Sequence, residues 1–84
     1  MIESRAGRSL ADAAVGRVVR IVSATLHRDV AAWLAAVGLH EGEQVVVLRR
    51  AAFGGPLHVR TASGGEFAVA REIATRLIVH EKAE

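Results

Sequence analysis

Val45-Val46-Val47-Leu48-Arg49-Arg50-Ala51-Ala52-Phe53-Gly54-Gly55-Pro56-Leu57 is the stretch on which the fold turns. Val45 to Arg50 is a β-branched run that fits a pleated, half-buried surface. Gly54-Gly55-Pro56 breaks it, since glycine frees the backbone and proline removes an N–H donor. Leu57 to Ala62 then alternates, with Leu57, Val59 and Thr61 facing inward and His58 and Arg60 outward. Ser63-Gly64-Gly65-Glu66 is a second hairpin signal, because Gly-Gly readily supplies the positive φ of a tight turn. Phe67 to Ala70 returns as a short strand, Arg71 to Arg76 reads as a helical turn, and Leu77-Ile78-Val79 closes the chain as a last strand.

Upstream, Arg17 to Ser23 is β-rich, with Val19 and Ile21 on one face and Val18, Arg20 and Val22 on the other. The period then changes. Val30, Trp33, Leu34 and Val37 fall at i, i+3, i+4 and i+7, one stripe of a helix, with alanines filling the remaining positions. Asp29 or Thr25 is the expected N-cap. Gly38 is placed as the left-handed residue after the helix, with Leu39 folding back on its last turn. His40-Glu41-Gly42 makes the following turn, and Gly16 allows another before the first strand. Gly16, Gly38, Gly42, Gly54, Gly55 and Pro56 are thus the structural turn positions. Five short strands with one helix in the first long connection point to a small barrel or sandwich.

Composition narrows the function. The chain has 84 residues, half of them apolar, and no cysteine, which excludes disulfides and thiolate metal sites. Its longest apolar run, Val30 to Val37, is far short of the roughly 18 residues a membrane span needs. No secretory signal precedes it, so the expected location is the cytoplasm. Ten arginines and one lysine are scattered among nine carboxylates instead of gathered in one tract, so no nucleic-acid partner is expected. The scarcity of aromatics, with no tyrosine and one tryptophan, makes a groove for proline-rich peptides hard to build.

Nothing in the pattern supports catalysis: the serines and glutamates fall at turns and strand ends, and a barrel this small is filled by its own side chains. The chain is therefore read as a non-enzyme. None of the four histidines has i, i+4 ligand spacing. His58 and His80, both outward-facing, are the weak metal candidates, and would meet only on neighbouring strands. No cofactor is expected beyond weak or adventitious transition-metal pickup by surface imidazoles. Trp33 borders the helix stripe, either packed half into the core or free to anchor a partner.

These pieces, in this order, resemble the FeoA family. Leu10-Ala11-Asp12-Ala13 with Gly16 and Ile21 is similar to the family's opening strand. Leu34, Val37, Gly38, Leu39 and Gly42 are similar to its helix end. Val45 to Leu57 resembles its strand, loop and return strand, and Phe67-Ala68-Val69, Arg71-Glu72-Ile73-Ala74 and Ile78-Val79 resemble its close. Glu41 stands where the family often has proline, and Ala70 where it often has arginine.

The resemblance implies a mainly β fold: an SH3-like five-stranded barrel with one short α-helix inserted after the first strand. It divides the chain into a flexible N-terminal tail (1–9), the FeoA-like domain (10–80) and a charged C-terminal tail (81–84). It also implies a bacterial ferrous-iron transport accessory that binds the cytoplasmic side of a membrane Fe(II) permease with a GTPase domain and modulates it, as a monomer or weak homo-oligomer. Trp33, Arg49, Arg50, Phe53 and Arg71 are the candidate partner-binding residues. The alternatives are a metal-sensing or regulatory domain related to the C-terminal domain of metal-dependent repressors, and a nucleic-acid-binding small barrel.

Overall fold

The computed structural model describes residues 8–81. A 3₁₀ turn at Leu10–Asp12 leads into β1 (Val18–Ala24), α1 (Arg28–Ala36), β2 (Gln44–Arg50), β3 (Leu57–Thr61), β4 (Glu66–Val69), the single helical turn α2 (Arg71–Ala74) and β5 (Leu77–Glu81). The strands form one antiparallel sheet in the order β4-β3-β2-β1-β5. This is the mainly β, five-stranded architecture with one helix after the first strand that the sequence implied.

The alternation explains the sheet's curl. Val19 and Ile21 of β1, Val45 and Val47 of β2, Leu57 and Val59 of β3, Val69 of β4, and Leu77 and Val79 of β5 all point to one face and are buried. Cross-strand pairs carry the same phase from strand to strand: Val19 opposes Val45, which opposes Thr61, and Val47 opposes Val59, which opposes Phe67. Two register shifts interrupt it, between Ile21 and Ser23 on β1 and between Val47 and Arg49 on β2. A bulge bends its strand and sharpens the local twist, letting so short a sheet wrap around its apolar face.

The core is completed from both ends of the chain. Leu10, Ala11 and Ala13 are buried with the strands. Arg50 secures this lead-in: its Nε donates to the Ala11 carbonyl (3.0 Å) and its Nη2 to the Ala13 carbonyl. Pairing also reaches two residues beyond the expected domain start. The Val79 N–H donates to the Arg8 carbonyl (2.8 Å), and Ser9, which is buried, bridges Ile78. Of the expected flexible tail 1–9, residues 1–7 lie outside the described residues, while Arg8 and Ser9 are tied to β5 by that hydrogen bond and that isolated bridge. Glu81, expected in the C-terminal tail, ends β5 opposite Val19, and residues 82–84 lie outside the described residues.

Helix α1 differs from expectation at its start and on its face. Its N-cap is His27, whose Nδ1 accepts from the Asp29 N–H (3.2 Å), rather than Asp29 or Thr25. Only Leu34 of the stripe is fully buried; Val30 packs at the core's margin, and Trp33 and Val37 face solvent. The end of the helix is as expected: Gly38 has φ +102°, the Gly38 N–H donates to the Ala35 carbonyl (3.1 Å) and the Leu39 N–H to the Leu34 carbonyl (2.8 Å). These are the two bonds of a Schellman motif, and Leu39 follows into the core.

Candidate functional site

The sequence candidates separate once placed. Arg50 is engaged within the fold, bonded to the Ala11 and Ala13 carbonyls and half-buried. Arg49 is its opposite: the bulge on β2 turns it outward, where it opposes His58 of β3. Trp33 lies outside the core at 61% exposure, so the half-packed alternative does not hold. Phe53 is fully exposed at the tip of the β2–β3 loop. Arg71, on α2, runs alongside that loop, its Cδ 3.8 Å from where a Cβ on Gly54 would stand.

The two histidine candidates do not meet. His58 is on β3 and His80 on β5, and β2 and β1 lie between them in the sheet. His58 Nε2 is instead 3.4 Å from Glu66 Oε1, while Arg60 Nη1 lies 3.5 Å from the other oxygen of the same carboxylate. His80 opposes Arg20. Among the described residues no three His, Cys, Asp or Glu side chains are grouped to hold a metal ion.

Two features were not singled out from sequence. Glu43, mostly buried, accepts from the Ser63 N–H (3.1 Å) and Ser63 Oγ (3.0 Å), with His40 Nε2 3.6 Å from its other oxygen. This ties the α1–β2 turn to the β3–β4 hairpin, a structural role. Arg76, read only as the end of a helical turn, shares an open concavity of about 590 Å³ with Gly54, Pro56, Arg71 and Glu72. Its position there depends on the β2–β3 loop folding against α2, which no local pattern reveals.

Five strands curled around an aliphatic core, with one helix between β1 and β2 and a helical turn before β5, define a small SH3-like β-barrel domain. The FeoA domain model matches residues 8–81, and the chain belongs to that family of ferrous-iron transport accessory domains. No curated protein sequence matches it. The FeoA protein from Chlorobium tepidum is similar in structure at TM-score 0.81 and 26% identity, covering 90% of this chain and 71% of that one. FeoA of Stenotrophomonas maltophilia, solved with zinc and described as a procaryotic SH3 domain protein, aligns at TM-score 0.67 and 24% identity over 88% of this chain and 91% of that one. A manganese-dependent transcriptional repressor solved with manganese shares the fold at TM-score 0.81 and 19% identity, covering 94% of this chain and 38% of the repressor. Among the described residues no helix is long and apolar enough to cross a membrane.

Proposed function

We propose that this protein is a non-catalytic accessory of bacterial ferrous-iron uptake, acting in the cytoplasm by binding the cytoplasmic part of a membrane Fe(II) permease that carries a GTPase domain, and modulating it. The observation that carries this reading is the family match across residues 8–81. The Stenotrophomonas relative, itself described as a suggested ferrous iron transport activating factor, supports the same direction. The exposed aromatics Trp33 and Phe53 support a role exercised through contact with another protein. The repressor likeness is one of fold, and no grouped ligands among the described residues favour the metal-sensing alternative.

The test has two arms. Titration calorimetry of the full chain against the purified GTPase domain of the same organism's Fe(II) permease is expected to show saturable binding. Deletion of the gene is expected to reduce uptake of radiolabelled Fe(II) under limitation. A flat titration together with unchanged uptake refutes the proposal.

A further inference from the structure

Ala52 to Gly55 forms the tip of the β2–β3 hairpin. The Gly55 N–H donates to the Ala52 carbonyl (3.1 Å), and the Ala51 N–H to the Pro56 carbonyl (3.0 Å). Both central residues have positive φ, +59° at Phe53 and +75° at Gly54. This is the pattern of a type I′ turn, for which Asn-Gly and Gly-Gly are the preferred pairs. A bulky aromatic in the left-handed region is a genuine outlier, and Phe53 is the one non-glycine at positive φ among the described residues.

Burial does not offset that cost, because the ring is fully exposed, at 105% of its reference area. The loop beneath it is tightly packed: a Cβ on Gly55 would stand 2.8 Å from the Ala51 Cβ. A strained backbone over a crowded base holds an aromatic ring out in water. Fold stability selects against phenylalanine here. Strain of this kind marks binding and switch sites.

The surroundings supply the chemistry. The 590 Å³ concavity opens beside the tip, with Arg71 and Arg76 on its walls. A second concavity, of about 430 Å³, lies across α2 between Leu26, Val30 and Ile73 and shares Glu72 and Arg76 with the first. Neither Arg71 nor Arg76 makes an ion pair among the described residues, where the paired arginines are Arg17 with Glu81 and Arg60 with Glu66.

We propose that this face is a protein-docking surface on which Phe53 enters an apolar socket of the partner while Arg71 and Arg76 receive carboxylates from the socket's rim. The occupant is an acidic, apolar-anchored protein surface. This rests on the partner-binding reading above and adds to it the place and the complementary chemistry. A bilayer would also meet a phenylalanine and two arginines, but a flat surface leaves both concavities unfilled and brings Glu72 toward anionic headgroups. A protein with relief of its own fills the one and avoids the other.

The experiment follows the amide spectrum of the isotope-labelled full chain titrated with the permease GTPase domain. Perturbations are expected to cluster at residues 52–56 and 70–76. Phe53→Ala is expected to weaken binding at least about tenfold, as an anchor residue does. Arg71→Glu with Arg76→Glu is expected to weaken it similarly and to flatten its salt dependence. Arg20→Ala, at an exposed residue that lines neither concavity, is expected to change it less than about twofold. Thermal melts of each variant verify folding.

If the wild-type chain binds but perturbations cluster elsewhere, or Phe53→Ala binds normally, this surface is overturned and the proposed function stands. If the wild-type chain does not bind, this surface falls, and the proposed function falls with it when deletion also leaves Fe(II) uptake unchanged. Phe53-dependent sedimentation with phosphatidylglycerol–phosphatidylcholine vesicles in place of domain binding overturns it in favour of a membrane. Phe53-dependent dimerisation of the chain alone overturns it in favour of a second copy.

Discussion

The end of α1 and the tip of the β2–β3 loop make the same backbone demand and answer it in opposite ways. Both need residues at positive φ. At the helix end the demand falls on Gly38, where a Cβ would stand 3.2 Å from Ser63 Oγ and 3.3 Å from Thr61 Oγ1, and the next residue, Leu39, is buried. At the loop tip it falls partly on Phe53, whose side chain touches open water. Every choice at the first site lowers the folding free energy. At the second site one choice raises it, with no return in packing. A sequence under selection for stability alone would treat the two alike, so the difference separates a part that holds the barrel from a part that works outside it.

The comparison breaks most readily at the helix end. Leu39→Ala removes a side chain only 2% exposed and is expected to cost about 2–5 kcal/mol, the range for emptying a buried leucine site, read as a lower denaturation midpoint at unchanged slope. Gly38→Ala is expected to cost about 1–3 kcal/mol, through strain at φ +102° and crowding against Ser63 and Thr61. Should Gly38→Ala leave the midpoint in place, the helix end is not the strict structural corner described here, and the contrast with Phe53 loses its first half.

Much of the fold was legible because period two and the turn residues are local signals. Leu57, Val59 and Thr61 face inward as their alternation requires, and Gly38 and Leu39 close the helix as their types dictate. What alternation hides is a bulge. By phase alone Arg49 shares a face with Val45 and Val47, and Ser23 shares one with Val19 and Ile21, yet the two register shifts turn Arg49 outward and bring Arg50 to the Ala11 and Ala13 carbonyls. No residue type announces such a shift, since the extra residues, Val22 on β1 and Leu48 on β2, are aliphatic residues that a regular strand takes equally well and are left without a partner opposite.

The helix stripe misled for a related reason. Periodicity predicts which residues share a face, not how wide a face the barrel can cover, and so small a sheet fully buries only Leu34 and leaves Trp33 outside. Of the candidate surface, Phe53 and Arg71 were visible as residue types, whereas Arg76 joins them only through the packing of loop against α2.

The smallest expected effect is the most informative one, because its sign is unusual. Phe53→Asn replaces a residue that resists the left-handed region with one that tolerates it at low cost, at a position where no contact is lost. The fold is expected to gain about 0.4–1 kcal/mol, comparable to other backbone-relieving substitutions, seen as a denaturation midpoint that rises by a few tenths to one molar in urea. Binding is expected to fall in the same variant, since the anchor is gone. A gain in stability coupled to a loss of binding has one physical source, a side chain kept in place against the preference of its own backbone. If Phe53→Asn instead lowers the midpoint, the ring stabilises the native loop after all. The tip would then be another structural corner, and the distinction between the two turns would dissolve.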